Sequence, residues 1–426
     1  MILLPAAALL FLPLTAAAAP SPLEQLTGAV PALQVRSPAA VSPARLADWT
    51  VLVYVSARND LGLEALKDLN EMEAAGSTAK VNVVAELGRK VTEPEFNPFS
   101  SVPPPQLAQA DWTGSRRFLV RKDTNPLSVT SPVLAHYPDA DMGDWRHLSD
   151  FIAWGKANFP ARKYLLVVGG HGSGWRGVKP PPANKGISYD EVSGNHISPA
   201  ELARAIKDNG GVDVYASDAC LMQTIEVVYD LRGAAGLVVG SQETTPGSGY
   251  NYEALINALN GDPGDAMAGA RAVFKGFSEY YGGQGTSVTM SAVRPARAAE
   301  LAVLLDRFAR LAAASPADLA LYREKRFSLR SFDDEDARDL YQFLKLYYEN
   351  SPTPAVRAAA REAIVFLAEN FVARNDAVGY KSNDANGVSV YFPFYGPDYK
   401  RKYEDLSFAR DTYWDELLRA LAASWN

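Results

Sequence analysis

The 426-residue sequence contains a single cysteine, Cys220, and only four histidines. One thiol excludes an intramolecular disulfide and any metal site built from several cysteines. Basic residues are in the minority, with 42 Lys and Arg against 49 Asp and Glu and a net charge of −7. No sequence-wide positive field is therefore present to bind a phosphate backbone, and nucleic acid is not expected as a partner. The 31 Gly and 28 Pro follow no fixed period, and 47% of residues are hydrophobic, which excludes collagen, a coiled coil and wholesale disorder.

The apolar run at the N-terminus, residues 3–14, is too short to span a bilayer. Small residues follow at 16–19, the pattern of a secretory signal peptide and its cleavage zone. We therefore predict a signal peptide over residues 1–18 and export to the periplasm, the medium or the cell surface, with no membrane span. The Pro-, Ala- and Ser-rich residues 19–46 are predicted to be a leader or linker.

From residue 47 onward, short β-branched runs alternate with longer helical patterns, which indicates an α/β fold with a mostly parallel sheet flanked by helices on both faces. The predicted strands are residues 50–55, 81–86, 117–121, 164–168, 212–216, 236–241, 287–293 and 387–392. The predicted helices are residues 60–75, 144–158, 199–209, 221–232 and 252–259. We expect an α/β domain over residues 47–294 and a mainly helical C-terminal region over 295–426 packed on it. The strand at 387–392 is predicted to return to the sheet.

Two predicted strands run into segments that carry reactive residues. The strand at 164–168 continues into GGHGSGW, where glycines around His171 let the backbone approach a ligand closely. The strand at 212–216 continues into SDACLM and places Cys220 at a predicted helix start, where the helix dipole favours a thiolate. Because ligands bind at the carboxyl ends of parallel strands, we expect His171 and Cys220 to lie together at that edge.

His171 and Cys220 are a candidate pair for nucleophilic catalysis. The thiolate is the reactive form of a cysteine, and a neighbouring imidazole takes its proton and later returns it to a leaving amine. The histidine precedes the cysteine by 49 positions, close to the spacing in caspases. The alternative for a lone cysteine is a small buried hydrophobic residue. For His171 the alternative is a turn or surface residue, the role that we assign to His136, His147 and His196.

Residues 172–177, GSGWRG, formally match the dinucleotide-binding fingerprint, and Asp190 follows at a suitable distance. That fingerprint requires a helix whose N-terminus meets the pyrophosphate. The prolines at 180–182 break any helix in this segment, so nucleotide binding is not expected.

The motifs resemble those of the clostripain-like cysteine peptidases, the C11 group of the caspase-like clan, from residue 49 to about residue 393. The shared segments are WTVLVYV at 49–55, NDL at 59–61, MGD at 142–144, HGSGW at 171–175, DACLM at 218–222, SQETTPGSGY at 241–250 and GVSVYFP at 387–393. The resemblance implies a caspase-like fold and a His/Cys dyad that cleaves protein or peptide substrates after basic residues. It carries no information on oligomeric state.

The resemblance also implies roles for individual residues. His171 is the general base and acid, Cys220 is the nucleophile, and the main-chain NH groups of Gly172 and Cys220 form the oxyanion hole. Asp218 matches the position at the floor of the S1 pocket. A carboxylate there binds the guanidinium of Arg bidentately and the ammonium of Lys as a point charge, which predicts Arg before Lys. Helix N-capping is the alternative role for Asp218.

Three further residues are candidates for lining the substrate cleft: Trp175, Glu243 and Tyr250. The alternative role for each of them is ordinary packing in a loop. Family members are often processed between the histidine and cysteine segments. We expect self-cleavage after Lys185, because it offers a basic P1 residue followed by a small P1′ glycine.

The predicted dyad requires no cofactor and no metal. The acidic residues 333–336 lack the spacing of an EF-hand loop, so a solvated helix start is the favoured interpretation and calcium the alternative. The competing function is an inactive caspase-like binding protein, secreted or on the cell surface. The presence of His171, Cys220 and Asp218 argues against that loss of activity.

Overall fold

A large sheet organises the chain. The computed structural model describes residues 46–90, 112–126, 128–177 and 185–425, within the compact unit that spans Val41–Asn426. The strands are β1 (Ala47–Ala57), β2 (Val81–Arg89), β3 (Gly114–Leu119), β4 (Val133–Tyr137), β5 (Ala161–Gly169), β6 (Gly172–Gly177), β7 (Lys185–Asp190), β8 (Asn195–Ile197), β9 (Val212–Asp218), β10 (Ala235–Gly240), β11 (Val288–Val293), β12 (Ala337–Asp339), β13 (Val372–Val378) and β14 (Ser389–Tyr391). Nine of them form one sheet in the order β13-β11-β10-β9-β5-β1-β2-β3-β4.

The middle of this sheet is parallel. Strands β10, β9, β5, β1 and β2 pair in parallel, whereas the outer strands pair antiparallel. In β1, Trp49, Val51 and Val53 pack on one face of the sheet, and Leu52 and Tyr54 pack on the other. Burial on both faces is typical of parallel strands and explains the continuous apolar runs in the sequence.

Helices cover both faces of the sheet. They are α1 (Gly62–Ala75), α2 (Trp145–Asn158), α3 (Pro199–Lys207), α4 (Ile225–Asp230), α5 (Tyr252–Gly261), α6 (Ala266–Gly276), α7 (Ser278–Gly283), α8 (Ala298–Ala313), α9 (Pro316–Lys325), α10 (Leu340–Asn350), α11 (Pro354–Phe366), α12 (Ser407–Asp411) and α13 (Trp414–Ala423). The helices α1, α5, α6 and α7 pack on the face that carries Trp49. The helices α2, α3 and α4 and the C-terminal helices α8 to α13 pack on the opposite face. The predicted α/β fold, with a mainly helical C-terminal region, is confirmed.

The C-terminal region reaches the large sheet through a different strand from the predicted one. The strand β14 pairs with β12 in a separate two-stranded sheet, so the predicted return of residues 387–392 to the large sheet is wrong. The strand that joins the large sheet is β13, which pairs antiparallel with β11. Its sequence, VARNDAV, has three consecutive polar residues in the middle of a partly exposed edge strand, so it lacks the apolar run that marks a buried strand. The proposed division between residues 294 and 295 stays a prediction.

A second small sheet, β6-β7-β8, follows β5 and is absent from the predicted elements. The predicted signal peptide and residues 19–45 of the predicted leader lie outside the described residues. In the described part of the chain, we find no helix with the length and apolar character that crossing a membrane requires.

Candidate active site

The segments that carry His171 and Cys220 leave the sheet side by side. Strands β5 and β9 are parallel neighbours whose last paired residues are Gly169 and Asp218. The main-chain NH of Gly170 donates a hydrogen bond to the carbonyl oxygen of Asp218 at 3.2 Å. His171 and Cys220 each lie two residues beyond this last pair, and both line one cavity of about 150 Å³. The structure therefore brings together the two reactive residues singled out by the sequence.

Glycine at position 172 permits the close contact between these two segments. A Cβ atom on Gly172 would lie 2.6 Å from the carbonyl oxygen of Cys220 and 2.8 Å from the Cβ of Ala219. Both distances are far below van der Waals contact, and one of them is to main chain that cannot move aside. Any side chain at position 172 would push the histidine and cysteine segments apart.

The imidazole of His171 has an acidic partner. Its Nε2 lies 2.6 Å from Oδ1 of Asp60, in the loop that follows β1. Asp60 belongs to the motif NDL at 59–61, for which the sequence predicted no catalytic role. The signal in the sequence is its position, because an acidic residue just after a central parallel strand lies at the same edge as His171.

The thiol of Cys220 receives a hydrogen bond. The main-chain NH of Thr245 donates to Sγ at 3.3 Å, and the Thr245 hydroxyl lies 3.6 Å from the same sulfur. A donor directed at sulfur stabilises negative charge there. Thr245 also lines the cavity, and sequence reasoning assigned it no role.

The prediction that Cys220 stands at a helix start is wrong. Leu221 has a left-handed backbone with φ of 60°, and its NH donates to the carbonyl oxygen of Glu243. No helix therefore begins at Cys220. The helix α4 begins only at Ile225, where the Thr224 hydroxyl caps it by accepting from the NH of Val227. The predicted effect of the helix dipole on the thiol is therefore absent, since that effect is confined to the first turn.

Asp218 forms the floor of the cavity. Its side chain is 7% exposed, and Oδ2 accepts hydrogen bonds from the NH of Tyr250 at 3.0 Å and the hydroxyl of Tyr252 at 2.9 Å. Oδ1 is buried, and none of the described residues forms a hydrogen bond with it. Burial raises the pKa of Asp218 to about 6. The N-capping alternative is wrong, because Thr224 caps α4.

Helix α1 adds further carboxylates to this cavity. Glu64 and Asp68 line it together with Asp218, and Asp68 is 8% exposed. Behind them, Glu71 accepts a hydrogen bond from the NH of Tyr252, and burial raises the pKa of Glu71 to about 7. We call this cavity, with Asp68, Asp218, His171 and Cys220 in its lining, the acidic pocket. The described residues contain no group of three or more His, Cys, Asp or Glu that could hold a metal ion.

Comparison with known proteins identifies the family of this chain. A sequence model of the Clostripain family, peptidase C11, matches residues 53–425. The chain belongs to the clostripain family. Clostripain itself, from Hathewaya histolytica, is 27% identical over 235 residues, which make up 50% of this chain and 43% of clostripain. The match therefore spans less than half the length of that relative.

Solved structures share the fold of this clostripain-family chain. A secreted C11 cysteine protease from Bacteroides thetaiotaomicron, in complex with an irreversible peptide inhibitor, superposes with a TM-score of 0.64 at 21% identity, covering 86% of this chain and 99% of that one. An inactive zymogen C11 protease from Parabacteroides distasonis gives a TM-score of 0.63 at 20% identity, covering 88% of this chain and 100% of its own. The resemblance inferred from the sequence motifs is confirmed.

Of the three candidates for cleft lining, none lines the acidic pocket of this clostripain-family chain. Trp175 is 5% exposed and packs edge-on against Tyr391 and Tyr403. Tyr250 is fully buried and donates its hydroxyl to the carbonyl oxygen of Ser217 at 2.8 Å. Glu243 accepts hydrogen bonds from the main-chain NH groups of Thr244 and Asp333. Their contacts are those of the packing alternative.

A second, wider cavity of about 600 Å³ also borders Cys220. We call it the outer groove; its lining includes His171, Cys220, Arg176 and the acidic residues 333–336. Arg176 forms ion pairs with Asp334 and, at 2.9 Å, with Asp336. Two carboxylates of the segment 333–336, the alternative calcium site, thus have an arginine as their partner.

The structure also locates two other sequence features, the segment that matches the dinucleotide fingerprint and the predicted cleavage point. Residues 172–177 form the strand β6 rather than the helix start that a dinucleotide site requires. Lys185 begins β7, where its main chain pairs with Gly177 of β6. Residues 178–184, directly before the predicted cleavage point, lie outside the described residues.

Proposed function

We propose that this protein is a cysteine endopeptidase that cleaves peptide bonds after Arg and, more slowly, after Lys. The observation that carries the proposal is the acidic pocket, in which the single thiol and His171 adjoin a buried carboxylate with a free oxygen, Oδ1 of Asp218. A buried carboxylate that has no cation beside it is unfavourable. A ligand that brings a cation relieves this cost. The side chain of a P1 Arg or Lys supplies that cation.

The proposed reaction uses only groups of the chain and water. With Nε2 of His171 engaged by Asp60, Nδ1 takes the proton from Cys220, and Sγ attacks the carbonyl carbon of the scissile bond. The oxyanion that forms is stabilised by the main-chain NH groups of Cys220 and Gly172. In a comparable enzyme, one such donor is worth about 2.7 to 4 kcal/mol.

His171 then returns the proton to the leaving amine as the C–N bond breaks, which leaves the acyl group on sulfur as a thioester. In the second half of the reaction His171 takes a proton from water, and the resulting hydroxide attacks the thioester carbonyl. The acid product leaves, and the sulfur regains its proton from His171. Asp60 acts through His171 as a positioning residue that fixes the ring and favours its protonated form.

Fluorogenic peptides that differ only at P1, with Arg, Lys, Asp or Ala, test this proposal directly. We expect hydrolysis of the Arg peptide, slower hydrolysis of the Lys peptide and none of the other two. Cys220→Ala is expected to be inactive. Because the chain has one cysteine, a single iodoacetamide adduct seen by mass spectrometry should account for the whole loss of activity.

The other outcomes are equally informative. Activity on the Asp peptide alone would reassign the specificity. Activity on none of the four would favour the inactive binding protein. Activity that survives in Cys220→Ala would remove Cys220 from the mechanism or reveal a contaminating protease, and a mock purification separates those two cases.

We also propose self-processing after Lys185. The bond lies at the start of β7, so it must leave its pairing with Gly177 to reach Cys220. One solved structure of this fold is described as an inactive zymogen, which makes processing a question for this chain as well. We expect a new N-terminus at Gly186 in the wild type, and an intact chain in both Cys220→Ala and Lys185→Ala by mass spectrometry. The same N-terminus in Cys220→Ala would mean that another protease makes the cut.

Export and independence from cofactors complete the proposal. A signal peptide over residues 1–18 predicts that protein recovered outside the cytoplasm begins at Ala19, which N-terminal sequencing checks. The His/Cys mechanism predicts that EGTA leaves the rate on the Arg peptide unchanged. Loss of that rate, restored by added calcium, would support the calcium alternative for residues 333–336.

A further inference from the structure

Helix α1 presents a row of acidic side chains to the acidic pocket. Glu64, Asp68 and Glu71 stand at positions i, i+4 and i+7, which lie on one face of an α-helix. Glu64 and Asp68 line the cavity, with Asp218 on its floor. The sequence of α1 therefore places carboxylates on the wall of the cavity, roughly facing the end of β9.

Asp68 is a buried carboxylate for which the described residues supply no ion-pair partner. Its neighbour Lys67 forms an ion pair with Glu64 at 2.8 Å instead. In the part of the chain that the structure describes, no Lys or Arg forms a salt bridge with Asp68 or Asp218. Burial first, and then the nearby Asp218 carboxylate, raise the pKa of Asp68 well above its usual range.

Two buried acids on one small cavity are unfavourable in the empty protein. Desolvation opposes the charge on each, and the charge on one opposes the charge on the other. A cation between them removes both penalties at once. The free Oδ1 of Asp218 is one acceptor for such a cation, and the carboxylate of Asp68 is a second acceptor on an adjacent wall.

We infer that Asp68 is a second specificity residue, which binds the cationic P1 side chain together with Asp218. The inference rests on the proposed function, since it concerns the same pocket. A guanidinium offers five N–H donors in a planar fork and can bind two carboxylates at once, whereas an ammonium is a point charge. Asp68 therefore increases the preference for Arg over Lys.

The test compares Asp68→Asn with a matched variant of the same helix. Glu73→Gln also removes a buried carboxylate from α1, but that carboxylate accepts hydrogen bonds from the NH groups of Thr130 and Ser131, away from the pocket. Peptides with P1 Arg, Lys and citrulline, the neutral analogue of Arg, are compared through kcat and KM.

For Asp68→Asn we expect kcat/KM on the Arg peptide to fall about tenfold or more, through KM, with a smaller loss on the Lys peptide. The Arg-to-Lys ratio falls, while hydrolysis of the citrulline peptide stays unchanged. In Glu73→Gln the ratio stays at the wild-type value. An unchanged ratio in Asp68→Asn would overturn the inference.

A second readout avoids dependence on turnover. Benzamidine, an aromatic amidine cation, is expected to slow alkylation of Cys220 by iodoacetamide in the wild type, and to need about tenfold higher concentration in Asp68→Asn. Equal alkylation rates without benzamidine show that the variant is folded with an intact thiol. Equal protection in both proteins would overturn the inference. If the wild type neither cleaves the Arg peptide nor gains protection from benzamidine, the proposed function itself fails.

Discussion

Two groups of carboxylates flank Cys220, and they differ in the source of their counter-charge. In the outer groove, Asp334 and Asp336 pair with Arg176, which follows the His171 segment. In the acidic pocket, Asp68 and Asp218 are buried, and neither forms a salt bridge within the described residues. Both groups are acidic and both border the same thiol.

The difference separates a structural cluster from a binding site. A carboxylate removed from water is stable when a cation and hydrogen bonds accompany it. The outer groove holds its own cation and so has little need of another. The acidic pocket has room for a cation, and no Lys or Arg of the described residues lines it. That is the electrostatic condition for a site that selects a basic side chain.

The largest effect is expected from Asp218→Asn, which removes the floor of the acidic pocket. Loss of one member of a desolvated charge pair costs about 2 to 5 kcal/mol, so kcat/KM on the Arg peptide should fall by about 30-fold or more. Alkylation of Cys220 without benzamidine is the control for the fold. Wild-type kinetics on the Arg and Lys peptides would show that Asp218 does not bind the P1 side chain. The two groups of carboxylates would then not differ in function.

A smaller effect is expected from Asp60→Asn, which tests the histidine rather than the pocket. The amide no longer stabilises the protonated ring, so kcat should fall by about 10- to 100-fold while KM stays unchanged. The acidic limb of the pH–rate profile should move to lower pH. Asp60→Glu should restore part of kcat, whereas an unshifted profile in Asp60→Asn would reduce Asp60 to a surface contact.

The affinity for benzamidine should depend on pH. Burial raises the pKa of Asp218 to about 6, and a cation binds to the ionised carboxylate. The inhibition constant should therefore decrease about tenfold between pH 5 and pH 7, as the proton leaves. In Asp218→Asn this dependence should weaken.

Other titratable groups face the same pocket and require controls. Asp68, Glu64 and His171 line the pocket with Asp218, and burial raises the pKa of Asp68. Glu71 lies behind them with a pKa that burial raises to about 7, and Lys67 pairs with Glu64. Repeating the measurement by fluorescence or calorimetry in His171→Ala separates repulsion by a protonated imidazole from ionisation of the pocket. A flat profile in His171→Ala would assign the pH dependence to the histidine.

The smallest effect is expected from Arg176→Gln, which makes the outer groove more like the acidic pocket. Two carboxylates lose their cation, so the free energy of unfolding in urea should fall by about 1 to 2 kcal/mol. The Arg-to-Lys ratio at P1 should not change. A peptide library should show a new preference for a basic residue at another subsite, and a changed P1 ratio would mean that the two acidic regions are not independent.

The sequence allowed the sheet and the pairing of His171 with Cys220 to be predicted because both depend on local patterns. Continuous apolar runs mark buried parallel strands, and reactive residues just after such strands meet at one edge. The family motifs added Asp218. Its burial in the structure depends on Tyr250 and Tyr252, which lie beyond β10 and cannot be related to it by local spacing.

The features that escaped prediction depend on contacts between distant parts of the chain. Nothing local shows that Asp68 faces Asp218, because an acidic residue on a helix ordinarily faces water. The left-handed turn at Leu221 follows from a hydrogen bond to Glu243, and it delays the start of α4. The polar strand β13 is recognisable only through its neighbour β11.

The pairing of β13 with β11 has a consequence for how the chain can be divided. All six residues of β11 are buried, and β13, from the far side of the predicted boundary, covers its outer edge. A protein ending at residue 294 would leave an apolar strand with unsatisfied main-chain groups open to any other extended chain. Such a fragment should self-associate into β-rich aggregates, because it lacks β13, the strand that covers the edge of β11 in the whole protein.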